Sequence, residues 1–129
     1  MEFELVDIKN IEGTSFQGDL FINYEKLIEV FGKPNGGPSG DNKIYCEWII
    51  YFPEEKIYSS IYNWKNGPNY PKGGPTENII HWSIGGKDNK SVLIIYEHLK
   101  EKLGKYSCNL NTKFSNNIII DCKSEVKKQ

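Results

Sequence analysis

Two β-rich runs facing each other across a short turn fix most of what this chain can become. Residues 44–52 read Ile-Tyr-Cys-Glu-Trp-Ile-Ile-Tyr-Phe, Pro53-Glu54-Glu55 interrupts them, and residues 56–64 return as Lys-Ile-Tyr-Ser-Ser-Ile-Tyr-Asn-Trp. β-branched and aromatic side chains fit a pleated surface, and a proline followed by acids fits the turn. Parity then sorts the returning strand: Ile57, Ser59, Ile61 and Asn63 share one face, and Tyr58, Ser60, Tyr62 and Trp64 share the other. A lone hairpin is marginal in water, so further strands and helices must cover it.

The flanking segments supply them. Residues 3–11 alternate loosely as a first strand, and residues 14–22 make a second, with Gly13 and Gly18 letting backbone approach a neighbour closely. Asn23 can cap a helix with Glu25 in its first turn and Leu27, Ile28 and Phe31 on its apolar side, before Gly32 and Pro34 stop it. Residues 35–41 read as a mobile surface loop suited to act as a lid. Residues 66–76 hold three prolines and three glycines and exclude a regular element. Residues 79–84 predict another strand, ended by Gly85-Gly86. Asp88 or Ser91 can cap a second helix in which Val92, Ile95, Tyr96, Leu99 and Leu103 recur at helical spacing, with Gly104 closing it and His98 on its solvated side. Residues 117–122 predict a last short strand and residues 123–129 a flexible tail. The order β-β-α-β-β-β-α-β predicts an α+β fold: one domain over residues 1–122, with an antiparallel sheet around the central hairpin and two helices packed on one face.

Charge narrows the function classes. The chain carries 16 basic and 17 acidic residues, a net charge of -1, and every basic residue is lysine. A polymeric nucleic-acid binder or a membrane-surface protein needs a positive excess, and duplex reading leans on bidentate arginine; neither is provided. An AT-rich coding sequence would produce the same absence of arginine. Cys46, Cys108 and Cys122 are odd in number and scattered, without a CxxC pair, which disfavours both a disulfide framework and a zinc site. No basic and apolar leader opens the sequence, and no apolar run approaches the ~20 residues that span a bilayer, so the expected location is cytoplasmic.

Catalytic constellations are missing from the pattern. His81 and His98 are the two histidines, and neither belongs to an HxH, HxT or HExxH arrangement. Glu54-Glu55 sit in a turn, where acids are simply solvated. Glu47, beside Trp48, either faces water or is buried with Lys43 or Lys65 as partner; a hydrolase built on His81 with Glu47 is the weaker enzymatic option. No glycine-rich stretch matches GxxxxGK[ST] or GxGxxG. Gly85-Gly86 could lead a phosphate to the amides of the following helix, or could be a plain tight turn. The remaining chemistry is aromatic: Tyr62, Trp64, Trp82 and Phe16 lie near glycines and amides, where a ring can stack a base while Lys43 or Lys65 meets a phosphate. A structural, core role for either tryptophan competes with that reading. No cofactor and no metal are expected.

Read together, Gly13-Thr14-Ser15-Phe16-Gln17-Gly18, Tyr24-Glu25-Lys26-Leu27, Val30-Phe31-Gly32-Lys33-Pro34, Glu47-Trp48, Ile61-Tyr62-Asn63-Trp64-Lys65 and Trp82-Ser83-Ile84-Gly85-Gly86 resemble a family of small bacteriophage and giant-virus proteins. That family's motifs are GTSxQG, FGxP, IYxWK and WxIGG. The likeness spans most of residues 13–99. Ser83 stands where the family often has histidine, and Pro53-Glu54-Glu55 replaces a more usual Asp-Gly turn. The family looks like viral anti-CBASS nucleotide sponges, which soak up cyclic dinucleotide alarm signals without cleaving them. The resemblance therefore implies a non-enzymatic homo-oligomer, dimer or tetramer, acting in the cytoplasm of an infected cell. It points to Thr14, Ser15, Gln17, Tyr62, Trp64, Lys65 and Trp82 as ligand-binding positions, with Lys43 added from the charge argument. The alternative is an interaction module that inhibits a host defence protein by direct contact, through exposed aromatics and the Pro/Gly loops.

Overall fold

The computed structural model describes residues 1–112 and 117–123. In chain order its strands are β1 (Glu4–Leu5), β2 (Ser15–Phe21), β3 (Glu47–Phe52), β4 (Ile57–Tyr62), β5 (His81–Gly86), β6 (Cys108–Thr112) and β7 (Ile118–Cys122), and its helices are α1 (Tyr24–Phe31) and α2 (Lys90–Leu103). The fold is α+β, one sheet in the spatial order β1-β3-β4-β5-β2-β7-β6. The predicted hairpin is its centre: Glu47 stands opposite Tyr62 and Phe52 opposite Ile57. β5 extends it antiparallel, with Ile84 opposite Ile61, and β2 follows with Leu20 opposite Trp82.

Parity decides which side is core. Trp48, Ile50, Phe52, Ile61, Trp82, Ile84, Leu20 and Ile120 are all fully buried. They occupy one face, and both helices cover it. Tyr24 and Phe31 bring α1 against Trp48, Trp82 and the α2 residue His98, and Val92, Ile95 and Leu99 supply the buried stripe of α2. The indoles are anchored as well as packed, because Trp48 Nε1 donates to Gly32 O at 2.8 Å and Trp82 Nε1 donates to Ile22 O at 2.9 Å. The predicted caps form: Asn23 Oδ1 accepts from Lys26 N, and Gly32 closes α1 at a φ of 83° that favours glycine. At α2 the cap position is Asn89, while Asp88 Oδ1 accepts from Lys90 N at 2.9 Å.

Several expectations need correction. The strand predicted over residues 3–11 shrinks to Glu4–Leu5 and gives way to a single-turn helix at Ile8–Ile11, because the chain must leave the β3 edge and travel past β4 to reach β2. The sheet is not wholly antiparallel: β7 runs parallel to β2, with Leu20 beside Ile120. β6 has no counterpart in the sequence reading. Its Cys-Asn-Leu-Asn-Thr is too polar to register as a strand, and it forms because β7 templates it at the sheet edge. Cys108 and Cys122 face each other across that pair and are joined by a disulfide, leaving Cys46 as a buried free thiol. Cysteines far apart in sequence become partners once two strands bring them into register. His98 is not solvated but wholly buried among Phe3, Phe31 and Phe52.

The loop over residues 35–41, read as a lid, is fastened instead. Asn35 donates to Val6 O and accepts from Ile49 N, and Gly36 bridges Glu47. Lys123 N donates to Ser107 O at 3.0 Å; the rest of the expected tail lies outside the described residues.

Candidate functional site

The face away from the helices is only partly open. Ile49 and Ser60 are buried on this side, and the opening lies lower down, where β2, β5 and the exit of β4 meet. Phe16, Asp19, Tyr62, Trp64, His81 and Ser83 line a cleft of about 480 Å³ there. Trp64 and Phe16 are 46% and 44% exposed, large rings left accessible beside a concavity.

Trp64 is held out by its neighbours. Asn63 is fully buried, and its Oδ1 accepts from Tyr45 N at 2.6 Å and Cys46 N at 3.0 Å, pinning the entry of β3 to the exit of β4. Lys65 takes a left-handed φ of 61°, which breaks the strand alternation just after Trp64. Its amide donates to Lys43 O at 2.8 Å, tying the two lysine segments together. Both amines reach the indole, Lys43 Nζ at 5.7 Å and Lys65 Nζ at 5.5 Å from the ring centroid. Tyr62 meets Trp64 edge to face with centroids 6.4 Å apart.

The other end of the cleft is polar. His81 Nε2 lies 2.7 Å from Asp19 Oδ1, a bond in which the imidazole donates and the carboxylate accepts. Phe21 stacks on the same imidazole at 4.5 Å and 11°, so the ring orientation is fixed from two sides. Ser83 sits opposite Asp19 in the β2–β5 register. Tyr62 is opposite Glu47, and its hydroxyl is pushed up by burial and then by the negative charges of Glu47 and Asp19, so it stays protonated and able to donate. Glu47 is buried, and that burial pushes its carboxyl up to about 7. The predicted lysine partnership for Glu47 does not form: Lys43 pairs with Asp41 at 3.7 Å, and Lys65 sits over Trp64.

Of the residues expected to bind ligand, Tyr62 and Trp64 line the cleft, and Lys43 and Lys65 flank it through Trp64. Trp82 does not belong to it. Its indole is fully buried on the helix face, and the core reading of that residue is the correct one. Thr14, Ser15 and Gln17 also stand apart. Thr14 Oγ1 donates to Ile11 O at 2.7 Å and ties the start of β2 to the turn before it, while Gln17 Nε2 donates to Gly86 O at 3.0 Å and to Ser15 Oγ at 3.1 Å and holds β2 against the end of β5. The glycines serve packing rather than a phosphate. A methyl on Gly86 would run into Ser91, and one on Gly18 would meet Ile118 O at 2.7 Å. On the cleft side, a methyl on Gly85 would sit 2.7 Å from Ser60 Oγ and 3.4 Å from Tyr62 Cε1, so this glycine makes room for Tyr62.

Asp19 and Ser83 are site residues that sequence reasoning passes over, and it weighs His81 only as part of a hydrolase with Glu47, not as a ligand-binding residue. Their signal is alternation: His81-Trp82-Ser83-Ile84 and Asp19-Leu20 interleave polar with apolar, so once Trp82, Ile84 and Leu20 face the core the polar set must face the cleft. Among the described residues no group of three or more His, Cys, Asp or Glu is arranged to hold a metal ion, and no helix is long and apolar enough to cross a membrane. Comparison with known protein families, with curated proteins and with solved structures found no match to this chain.

Proposed function

We propose that this protein binds a small nucleotide in the Phe16–Trp64 cleft and holds it unchanged. The reading extends to biology through the motif resemblance: a viral counter-defence protein that sequesters a cyclic nucleotide immune signal, such as a cyclic dinucleotide, in the cytoplasm of an infected cell. One observation carries it. Trp64 rises half exposed beside a cleft of about 480 Å³, with Tyr62 at its edge and two lysine amines within 6 Å of its ring. Stacking a base on such a ring contributes roughly 1–3 kcal/mol, and the amines supply charge for the phosphates. A holding role also suits His81, whose Nε2 is engaged by Asp19 rather than poised on a nucleophile. The motif resemblance further suggests a homo-oligomer, in which a second copy over the open cleft would bury more of the ligand's surface.

The test is to mix the purified protein with a panel of cyclic nucleotides, remove unbound ligand, denature by heat and analyse what is released by mass spectrometry. Recovery of unaltered ligand is expected; a linear or hydrolysed product would defeat the sequestering role. The alternative, contact inhibition of a host protein, draws on the exposure of Phe16, Trp64 and Ile80. It requires that no nucleotide in the panel bind at all.

A further inference from the structure

We propose that the cleft selects guanine, through the carboxylate of Asp19; this rests on the nucleotide-binding reading above and specifies its ligand. The charges in the cleft are divided. Lys43 and Lys65 stand at the Trp64 end, and Asp19 lines the strand end beside His81 and Ser83. Phosphates are repelled by a carboxylate and drawn to amines, so a nucleotide lies with its phosphates toward the lysines. What meets Asp19 is then the uncharged edge of the base.

That edge must donate, because a carboxylate only accepts. Asp19 is held for the purpose. Its Oδ1 accepts from His81 Nε2 at 2.7 Å, and His81 is itself stacked on Phe21, so the carboxylate is fixed by a group that is fixed in turn. Oδ2 and the second lone pair of Oδ1 can then receive a ligand together. Guanine presents N1–H and the N2 amino group side by side, two parallel donors that match the two oxygens of one carboxylate. Adenine sets its N6 amino group beside the N1 lone pair, which would oppose a carboxylate oxygen. Cytosine has the same mismatch, and uracil offers one donor between two carbonyls. Ser83, across from Asp19 in the register, adds a hydroxyl that can turn toward the guanine O6. A bidentate pairing of this kind separates right from wrong base by on the order of tenfold to a hundredfold.

The experiment is calorimetric titration of the full chain with two probes, the cyclic dinucleotide bearing two guanines and the one bearing two adenines. Wild type is expected to bind the guanine probe tighter by about tenfold to a hundredfold. Asp19→Asn replaces one acceptor with a donor and matches the adenine edge, so the preference should vanish or invert while the melting temperature is kept. Trp64→Ala should weaken both probes alike. Equal affinity of wild type for the two probes, or an unchanged ratio in Asp19→Asn, overturns the guanine assignment and leaves nucleotide binding standing. Failure of wild type to bind either probe removes the binding site itself, and the assignment with it.

Discussion

His98 should contribute an acid-sensitive part of this protein's stability, and the size of that part follows from its surroundings. The imidazole is wholly buried, both ring nitrogens lack a hydrogen-bond partner among the described residues, and Phe3, Phe31 and Phe52 lie 5.2–5.7 Å away. Burial, with help from Lys102, pushes its pKa down to about 4 from 6.5; Glu101 pulls the other way and the amino terminus assists Lys102. A folded-state pKa below the unfolded value means that the folded state binds fewer protons, so the contribution is intact above 6.5 and is lost as the pH falls toward 4. At 1.36 kcal/mol per pH unit the full loss is about 3 kcal/mol. Glu47 works in the opposite sense. Raised to about 7, it contributes stability that is present below 4.5 and lost as the pH rises toward 7. Between 4.5 and 6.5 the two slopes oppose each other, so the wild-type profile should be nearly flat there. His98→Phe removes one slope and exposes the other. At pH 7.5 the variant should differ little from wild type, since relief of unpartnered ring nitrogens, about 1–3 kcal/mol, is offset by a similar cost of overpacking. Urea titrations followed by tryptophan fluorescence, at intervals from pH 4.5 to 8, provide the measurement. The reasoning is wrong if the His98→Phe and wild-type profiles run parallel below pH 6.5.

Three further outcomes are expected. Trp64→Ala should leave thermal stability within about 1 kcal/mol of wild type while removing roughly 1–3 kcal/mol of nucleotide affinity. Trp82→Ala should cost about 3–5 kcal/mol of stability, and melting curves showing similar losses for both would erase the distinction between cleft and core. Gly86→Ala drives a methyl into Ser91 and should destabilise by about 1–3 kcal/mol in denaturant titration; an unchanged midpoint would mean that α2 can slide. The Cys108–Cys122 bridge spans 14 residues, so reduction should lower stability by about 3 kcal/mol, read from melts with and without a phosphine reductant. No shift on reduction would indicate free thiols in solution.

The sequence foretold elements better than their arrangement. The hairpin, both helices and their glycine stops were readable because each rests on local signals: alternation, a cap, a residue able to take positive φ. β6 was not readable, since Cys-Asn-Leu-Asn-Thr is a strand only because β7 lies beside it. The parallel β2–β7 pair and the disulfide depend on the same neighbour choice, which no local pattern encodes. His98 misled for another reason. At α2 the apolar stripe is wider than the Val92, Ile95, Leu99 line, and a histidine one position before Leu99 falls inside it.

The same limit separated the two tryptophans. Trp64 and Trp82 have equal claims by composition, each in or just past a short strand and next to lysine, glycine or amide residues, and proximity to such groups in sequence says nothing about which face an indole takes. Facing is a matter of parity counted from a residue whose side is known. Ile61 opposite Ile84 fixes the core face of β4 and β5. Counting from Ile84, Trp82 is two residues away and shares the core; counting from Ile61, Trp64 is three away and does not. The count also returns Asp19, His81 and Ser83 to the cleft, where they replace Trp82 as the groups a ligand would touch. On the nucleotide-binding proposal, a base in this site would therefore stack without a second indole, on Trp64 with Phe16 as the other exposed ring, and selectivity would fall to the polar edge formed by Asp19.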